Sequence, residues 1–206
     1  MRESAFCRMM AFAVVAALLL LIAGCGDDEN PCSPTPQVYT FSFESSLDGW
    51  SAKAIDTDSP PIEWSIEQSS DRATDGTRSV KLYLENFNDK GKIWVERGFT
   101  VEPHANYRVA ISFDFATSDW GQANLFQLIA GAIAKPAETF SDLVFQGSTG
   151  NGADYDAGFL WLDKHYELEV TSGESGMVYA IIGVWGTWET PRTYYVDRVR
   201  IEITKT

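Results

Sequence analysis

The stretch "YRVAISFDF", residues 107–115, decides the fold class of this chain. Its apolar and polar side chains alternate at every second position, which is the period of a β-strand with one buried face. The side chains predicted to point inward are Tyr107, Val109, Ile111, Phe113 and Phe115. A strand that is solvated on its other face belongs to an antiparallel sheet, because parallel sheets are covered on both faces.

Alternating runs of the same kind recur from residue 38 to the C-terminus, separated by turns rich in Gly, Pro, Asp and Ser. In chain order they are "VYTFSFE", "IEWSIEQ", "SVKLYLE", "KIWVERGF", "NLFQLIAGAI", "DLVFQG", "FLWLDKHYELEV", "MVYAIIGVW" and "YYVDRVRIEI". Roughly ten strands at this spacing predict an all-β sandwich of two antiparallel sheets, most commonly a jelly roll. The stretch "AKPAETFSDL" is predicted to form about one helical turn, and no other helix is expected.

The first 24 residues have the composition of a secretory signal peptide. "MRESAFCRMM" carries two arginines, and "AFAVVAALLLLIA" is an apolar run too short to span a bilayer comfortably. The run ends in "LIAGC", which resembles the lipobox of bacterial lipoproteins. That resemblance implies cleavage before Cys25, acylation of its thiol and a membrane anchor. The alternative is an ordinary signal peptide with an incidental cysteine.

Residues 25–37 are acidic and Pro-rich and show no periodicity, so they are predicted to be a flexible tether before a domain at 38–206. Cys32 has no partner in the exported chain, so no disulfide is expected within the domain. The residue after the lipidated cysteine is Gly26 and not an Asp, so it carries no inner-membrane retention signal of the enterobacterial type. If the source is Gram-negative, this favours the outer membrane. The predicted location is the cell envelope.

The formal charge of −13 disfavours one class of ligand. An acidic surface repels phosphate backbones, so nucleic-acid binding is not expected. Cations and neutral ligands remain compatible with this charge.

The last strand raises a question about one acidic residue. If "YYVDRVRIEI", residues 194–203, alternates without interruption, Asp197 shares the apolar face with Tyr195 and Val199. A buried carboxylate must be hydrogen-bonded, protonated or paired with a cation. Two interpretations stay open: Asp197 helps to bind Ca²⁺, or it caps a backbone turn or bonds a Tyr hydroxyl.

Three motifs, "FSFESSLDGW", "DGTRSVKLYL" and "YYVDRVRIEI", together resemble the galactose-binding-like jelly rolls, which include many bacterial carbohydrate-binding modules. The resemblance implies a structural Ca²⁺ at the edge of the sandwich. Its ligands would come from Glu44, from the Asp75–Gly76 turn leading to Ser79, and from Asp197. The same resemblance implies that Trp50 packs in the core.

Three tryptophans are candidates for ligand contact. Trp120, Trp185 and Trp188 lie in or beside Gly-rich turns, with Glu189 as a polar neighbour. Aromatic faces beside carboxylates and amides suit sugars, since the CH face of a pyranose stacks on the ring. Asp119, Gln122 and Arg192 are further polar neighbours. The alternative is that these rings fold back and cover the end of the sandwich.

No sequence motif points to catalysis. His104 and His165 lack the spacing of metal ligands, and the chain has no nucleophile elbow or phosphate-binding loop. We therefore expect a non-enzymatic envelope lipoprotein whose domain binds carbohydrate. The second hypothesis is a structural or protein-interaction lipoprotein with no glycan ligand, and a weaker third is a glycoside hydrolase acting through two carboxylates.

Overall fold

The structure is a computed structural model, and it describes residues 34–121, 125–148 and 158–206. Within these residues, eleven strands form two antiparallel sheets. In chain order they are β1 (Gln37–Phe41), β2 (Ser51–Ile55), β3 (Trp64–Ser69), β4 (Ser79–Leu84), β5 (Lys92–Thr100), β6 (Asn106–Thr117), β7 (Phe126–Ile133), β8 (Phe145–Ser148), β9 (Leu160–Thr171), β10 (Met177–Gly186) and β11 (Arg192–Lys205).

The predicted all-β sandwich is confirmed. Sheet A runs in the order β3-β4-β11-β6-β9, with β1 also paired to β11, and sheet B runs β2-β5-β10-β7-β8. The short helical turn is present as a single 3₁₀ turn, Phe140–Asp142. In the part of the chain that the structure describes, no helix has the length and apolarity that a bilayer crossing requires. Residues Pro34–Thr206 form a compact unit of their own.

The core lies between the two sheets and follows the predicted alternation. All five side chains predicted to point inward from β6 are buried. Trp50 is also in this core, edge-on to Phe41 with ring centroids 5.5 Å apart, as the resemblance implied. Strand β2 had not been predicted, because "SAKAI" has only one large apolar residue and lies at the edge of sheet B, where less surface is buried.

The last strand departs from the predicted register. Asp197 pairs with Asp114 on β6, whereas Arg200 pairs with Ser112, so β11 contains one extra residue. This is a β-bulge, and Arg198 occupies the left-handed region within it (φ 50°). A bulge moves every following side chain to the opposite face.

The bulge corrects the prediction that Asp197 shares the apolar face of β11. Before the bulge, Tyr194 and Val196 face the core, and after it Val199 does so. Asp197 therefore lies on the outer face of sheet A. It is nevertheless fully buried, because the connection between β3 and β4 covers it.

The outer face of sheet B is covered by a different connection, residues 134–144. Ala137 and Leu143 from this segment pack on Trp94 and Ile181 in a second, smaller apolar cluster. The carboxylate of Glu96 on β5 accepts a hydrogen bond from the N–H of Ala137 at 2.7 Å. This segment therefore closes most of that sheet face to ligands.

The core contains one hydroxyl whose removal tests this packing. Tyr194 is fully buried beside Phe115, with ring centroids 5.9 Å apart, and burial raises the pKa of its hydroxyl. Its hydroxyl has no hydrogen-bond partner among the described residues. An unpaired buried polar group costs roughly 1–3 kcal/mol.

We therefore expect Tyr194→Phe to raise the free energy of unfolding by about 1 kcal/mol, measured by urea denaturation. Tyr195→Phe is the matched control, because Tyr195 lies on the outer face of the same strand. Its effect should stay within about 0.5 kcal/mol. A clear loss of stability in Tyr194→Phe would contradict the described packing.

Candidate functional site

Two carboxylates hold the turn between β3 and β4 against sheet A. The Asp197 Oδ2 atom accepts hydrogen bonds from the N–H groups of Thr74 at 2.7 Å and Asp75 at 3.0 Å. The Glu44 Oε1 atom accepts from the N–H groups of Thr77 at 2.8 Å and Arg78 at 2.9 Å. We call Glu44, Asp197 and turn 74–78 the carboxylate clamp.

The clamp brings together the residues that the resemblance to galactose-binding-like jelly rolls matched to a metal site. Strands β1 and β11 are neighbours, so Glu44 reaches the turn from one side and Asp197 from the other. Gly76 has a positive φ of 66°, and a Cβ there would collide with the Glu44 carboxylate. The two backbone donors at Thr77 and Arg78 lower the pKa of Glu44.

The donor set of the clamp, as arranged, does not fit Ca²⁺. Calcium takes six to eight oxygen ligands, many of them carbonyls, but here backbone N–H groups face the carboxylate oxygens. The second oxygen of Asp197 also accepts an N–H, that of Arg198, at 2.8 Å. No three His, Cys, Asp or Glu side chains in the described ranges lie close enough together to hold a metal. Calcium binding stays a prediction, and it requires this turn to reorient.

Asp197→Asn tests the clamp directly. The amide would direct an NH₂ group at backbone N–H donors, so we expect a loss of several kcal/mol of stability, measured by thermal and urea unfolding of Pro34–Thr206. Ser118→Asn, an exposed polar substitution on another connection, is the control.

The same measurement with and without EDTA tests calcium. A melting temperature that EDTA lowers in the parent protein, but not in Asp197→Asn, would show that the turn binds a cation. An unchanged melting temperature would leave the two carboxylates as hydrogen-bond acceptors for the turn.

The three candidate tryptophans do not form one cluster. Trp120 is 1 % exposed, lies in the core and donates its indole N–H to the carbonyl of Leu160 at 3.1 Å. Trp185 is half-buried on the outer face of sheet B, edge-on to Phe140. Only Trp188, at 58 % exposure, presents its ring to solvent.

These positions correct the prediction that Trp120 contacts a ligand. Its place beside Gly121 had indicated an open turn, but the ring folds inward against Phe115 and Phe126, which the local sequence does not encode. Its predicted neighbour Gln122 lies outside the described residues. Asp119 and Arg192 approach each other at 3.9 Å.

Trp188 lies on a connection that is tied to a second exposed aromatic loop. Its backbone carbonyl accepts hydrogen bonds from Asn86 Nδ2 at 3.3 Å and from Arg192 Nη1 at 3.0 Å. Asn86 belongs to the loop between β4 and β5, where Phe87 is 54 % exposed. The Gly186 N–H donates to the Gly91 carbonyl at 3.2 Å, so the two loops are joined at a second point.

A cleft of about 290 Å³ opens beside this tryptophan, lined by Asp89, Thr187, Trp188 and Glu189. We call Phe87, Asp89, Trp188 and Glu189 the loop platform. Trp188 and Glu189 were predicted as ligand contacts. Phe87 and Asp89 were not, although an aromatic residue inside the breaker-rich stretch "ENFNDKG" was a signal that could have indicated them.

Of the two histidines, His104 is exposed in the turn before β6, and His165 lies on β9 beside Ser112 and Glu167. The Nδ1 atom of His165 lies 2.8 Å from Ser112 Oγ, and its Nε2 lies 3.8 Å from Glu167. Ser112 is on a central strand paired on both sides, so its backbone N–H is engaged in the sheet and does not serve an oxyanion. The side chains of Ser112, His165 and Glu167 can donate and accept hydrogen bonds.

Comparison with known proteins gives a likeness in fold only. No family model matches the chain, and no curated protein matches its sequence. Solved structures that resemble it include the CBM22-1 xylan-binding domain from Paenibacillus barcinonensis, at 15 % identity and TM-score 0.46, covering 84 % of this chain and 99 % of that one.

Two other similar structures span comparable lengths. The K3 cleaved adhesin domain of Lys-gingipain from Porphyromonas gingivalis has 14 % identity and TM-score 0.47, covering 79 % of this chain and 97 % of that one. The TmCBM61 structure in complex with β-1,4-galactotriose has 11 % identity and TM-score 0.38, covering 80 % and 91 %. At these values the likeness carries no argument about what this chain binds.

Proposed function

We propose that the β-sandwich is a non-catalytic carbohydrate-binding domain whose ligand contacts the loop platform. The observation that carries this proposal is that the backbone of Trp188 is fixed while its side chain is exposed. Its backbone carbonyl is held by Asn86 and Arg192, while its indole ring remains 58 % exposed. A large apolar ring on a fixed backbone is a stacking surface that needs little ordering before it binds.

The surroundings of Trp188 suit a neutral sugar. The carboxylates of Asp89 and Glu189 line the same cleft and can accept hydrogen bonds from hydroxyl groups. The chain carries a formal charge of −13, which works against phosphorylated or strongly acidic ligands. Stacking on the ring face and hydroxyl bonds at its edge together favour a pyranose.

A glycan array with the domain Pro34–Thr206 tests this proposal, followed by titration calorimetry with the best ligand. Trp188→Ala is expected to lower affinity at least tenfold, about 1.4 kcal/mol. The substitution leaves the backbone bonds of residue 188 in place, so unfolding curves should change little. Phe140→Ala, which removes another ring that is half exposed elsewhere on the surface, should leave the affinity unchanged.

Two results would count against the proposal. Full affinity in Trp188→Ala would remove the loop platform as the contact surface. If the folded protein binds no glycan on the array, a structural or protein-interaction role is favoured. The search would then turn to protein partners.

We also propose that the chain is anchored in a bacterial cell envelope through a lipid on Cys25. The support is in the sequence: an apolar run that ends in "LIAGC" is followed by an acidic, Pro-rich segment. Residues 1–33 lie outside the described residues. A tether of this kind would leave the domain free to meet glycans at the envelope.

Cys25→Ser in the full-length chain tests the anchor. The variant should lose metabolic labelling with palmitate and move from the membrane fraction to the soluble fraction, because an acyl chain supplies the membrane affinity. Cys32→Ser is the matched control and should remain in the membrane fraction. An unchanged distribution of Cys25→Ser would rule out the lipobox interpretation.

A further inference from the structure

A groove runs along β6 on the outer face of sheet A, apart from the loop platform. Its floor is formed by the small side chains of Ala110 and Ser112, which lie on a central strand. Long side chains of the two flanking strands form the walls: Arg198, Arg200 and Glu202 on β11, and Asp163, His165 and Glu167 on β9. Small residues between long ones leave space above the strand, where His165 also contacts the Ser112 hydroxyl at 2.8 Å.

The channel has the dimensions of a binding site. Its wider part is a cleft of about 580 Å³ beside Arg198 and Asp163, and a second cleft of about 190 Å³ continues it towards Glu167. Arg200 lines both clefts, so the two are neighbours along β11. The walls stand two strand spacings apart, roughly 10 Å, which admits a sugar ring between them.

The side chains in the walls of the groove can hydrogen-bond to hydroxyl groups. Arg198 is paired with Asp114 at 3.0 Å and Arg200 with Glu202 at 2.6 Å, which orients both guanidinium groups and leaves further N–H donors. The carboxylates of Asp75 and Asp163 line the wider cleft and can accept hydrogen bonds from hydroxyl groups. Donors and acceptors therefore face the same channel, as vicinal hydroxyls require.

The charges along the channel nearly cancel. Three arginines and four carboxylates line the two clefts. A phosphate backbone or an acidic polymer would gain little there, and the formal charge of the chain repels it. An extended peptide would also be a poor occupant, because β6 is paired on both sides and offers no free edge for strand addition.

We propose that this channel, the β6 groove, is a second saccharide-binding site that takes a neutral, extended oligosaccharide through hydrogen bonds. The proposal shares its ligand class with the proposed function but uses other residues and another face. The Trp188 site would stack a ring at the end of the sandwich, whereas the β6 groove would align a chain along the sheet. Two such sites on one domain raise avidity for a polymer.

Amide chemical-shift mapping of Pro34–Thr206 tests the proposal, with cellohexaose, xylohexaose and mannohexaose as probes. In a Trp188→Ala background, at least one hexaose should still shift the amides around Ser112, His165 and Arg200. Adding Arg200→Ala and Asp163→Ala should weaken that binding about tenfold or more, because charged hydrogen-bonding groups are lost. Ala110→Trp, which fills the floor, should have the same effect.

Glu67→Ala is the matched control, since Glu67 lies on the outer face of the same sheet but on β3, outside the groove. This substitution should leave the affinity for the hexaoses unchanged. A hexamer of β-1,4-linked glucuronic acid, the acidic counterpart of cellohexaose, should bind more weakly than the neutral probes, because the groove has no net positive charge.

The outcomes separate the two proposals. Shifts confined to residues 85–91 and 186–191 in the parent protein would overturn the β6 groove and keep the loop platform. Shifts confined to the groove would do the reverse. If none of the three hexaoses shifts the groove amides, the groove proposal is overturned. If the glycan array also shows no binding, the loop platform proposal is overturned as well.

Discussion

The hydrogen bonds between the Asp197 carboxylate and the N–H groups of Thr74 and Asp75 are the interaction on which the rest of sheet A depends. Asp197 meets these donors because it lies before the bulge at Arg198, in the register that puts it on the outer face of sheet A beside turn 74–78. The same bulge returns Val199 to the core and aligns the second half of β11 with β1. One extra residue thus decides the pairing of the central strand with its neighbours.

Both sheets use the same device to hold a long connection against an outer face. In sheet A, Glu44 and Asp197 accept backbone N–H groups from turn 74–78, and in sheet B, Glu96 accepts the N–H of Ala137. Carboxylates that accept several backbone donors are stable without a cation. Part of the acidic character of this chain therefore serves its fold.

The location of these connections determines which surfaces are open to a ligand. Segment 134–144 covers sheet B, where Lys92 lies 5.0 Å from the rings of Phe140 and Trp185 and pairs with Asp56. Turn 74–78 covers only part of sheet A, so the surface above Ser112 stays open. The candidate ligand surfaces are accordingly the loop end around Trp188 and the open part of sheet A.

The sequence by itself determined the fold class, most strand positions and the inward faces, because a period of two is a local property of each segment. The resemblance to the galactose-binding-like jelly rolls also implied that Glu44, the Asp75–Gly76 turn and Asp197 lie near one another. Only the tertiary structure decided the face of Asp197, the burial of Trp120 and the link between the loop that carries Phe87 and the loop that carries Trp188. A bulge shifts the register by one residue without a strong composition signal, and the burial of a loop ring depends on neighbours distant in sequence.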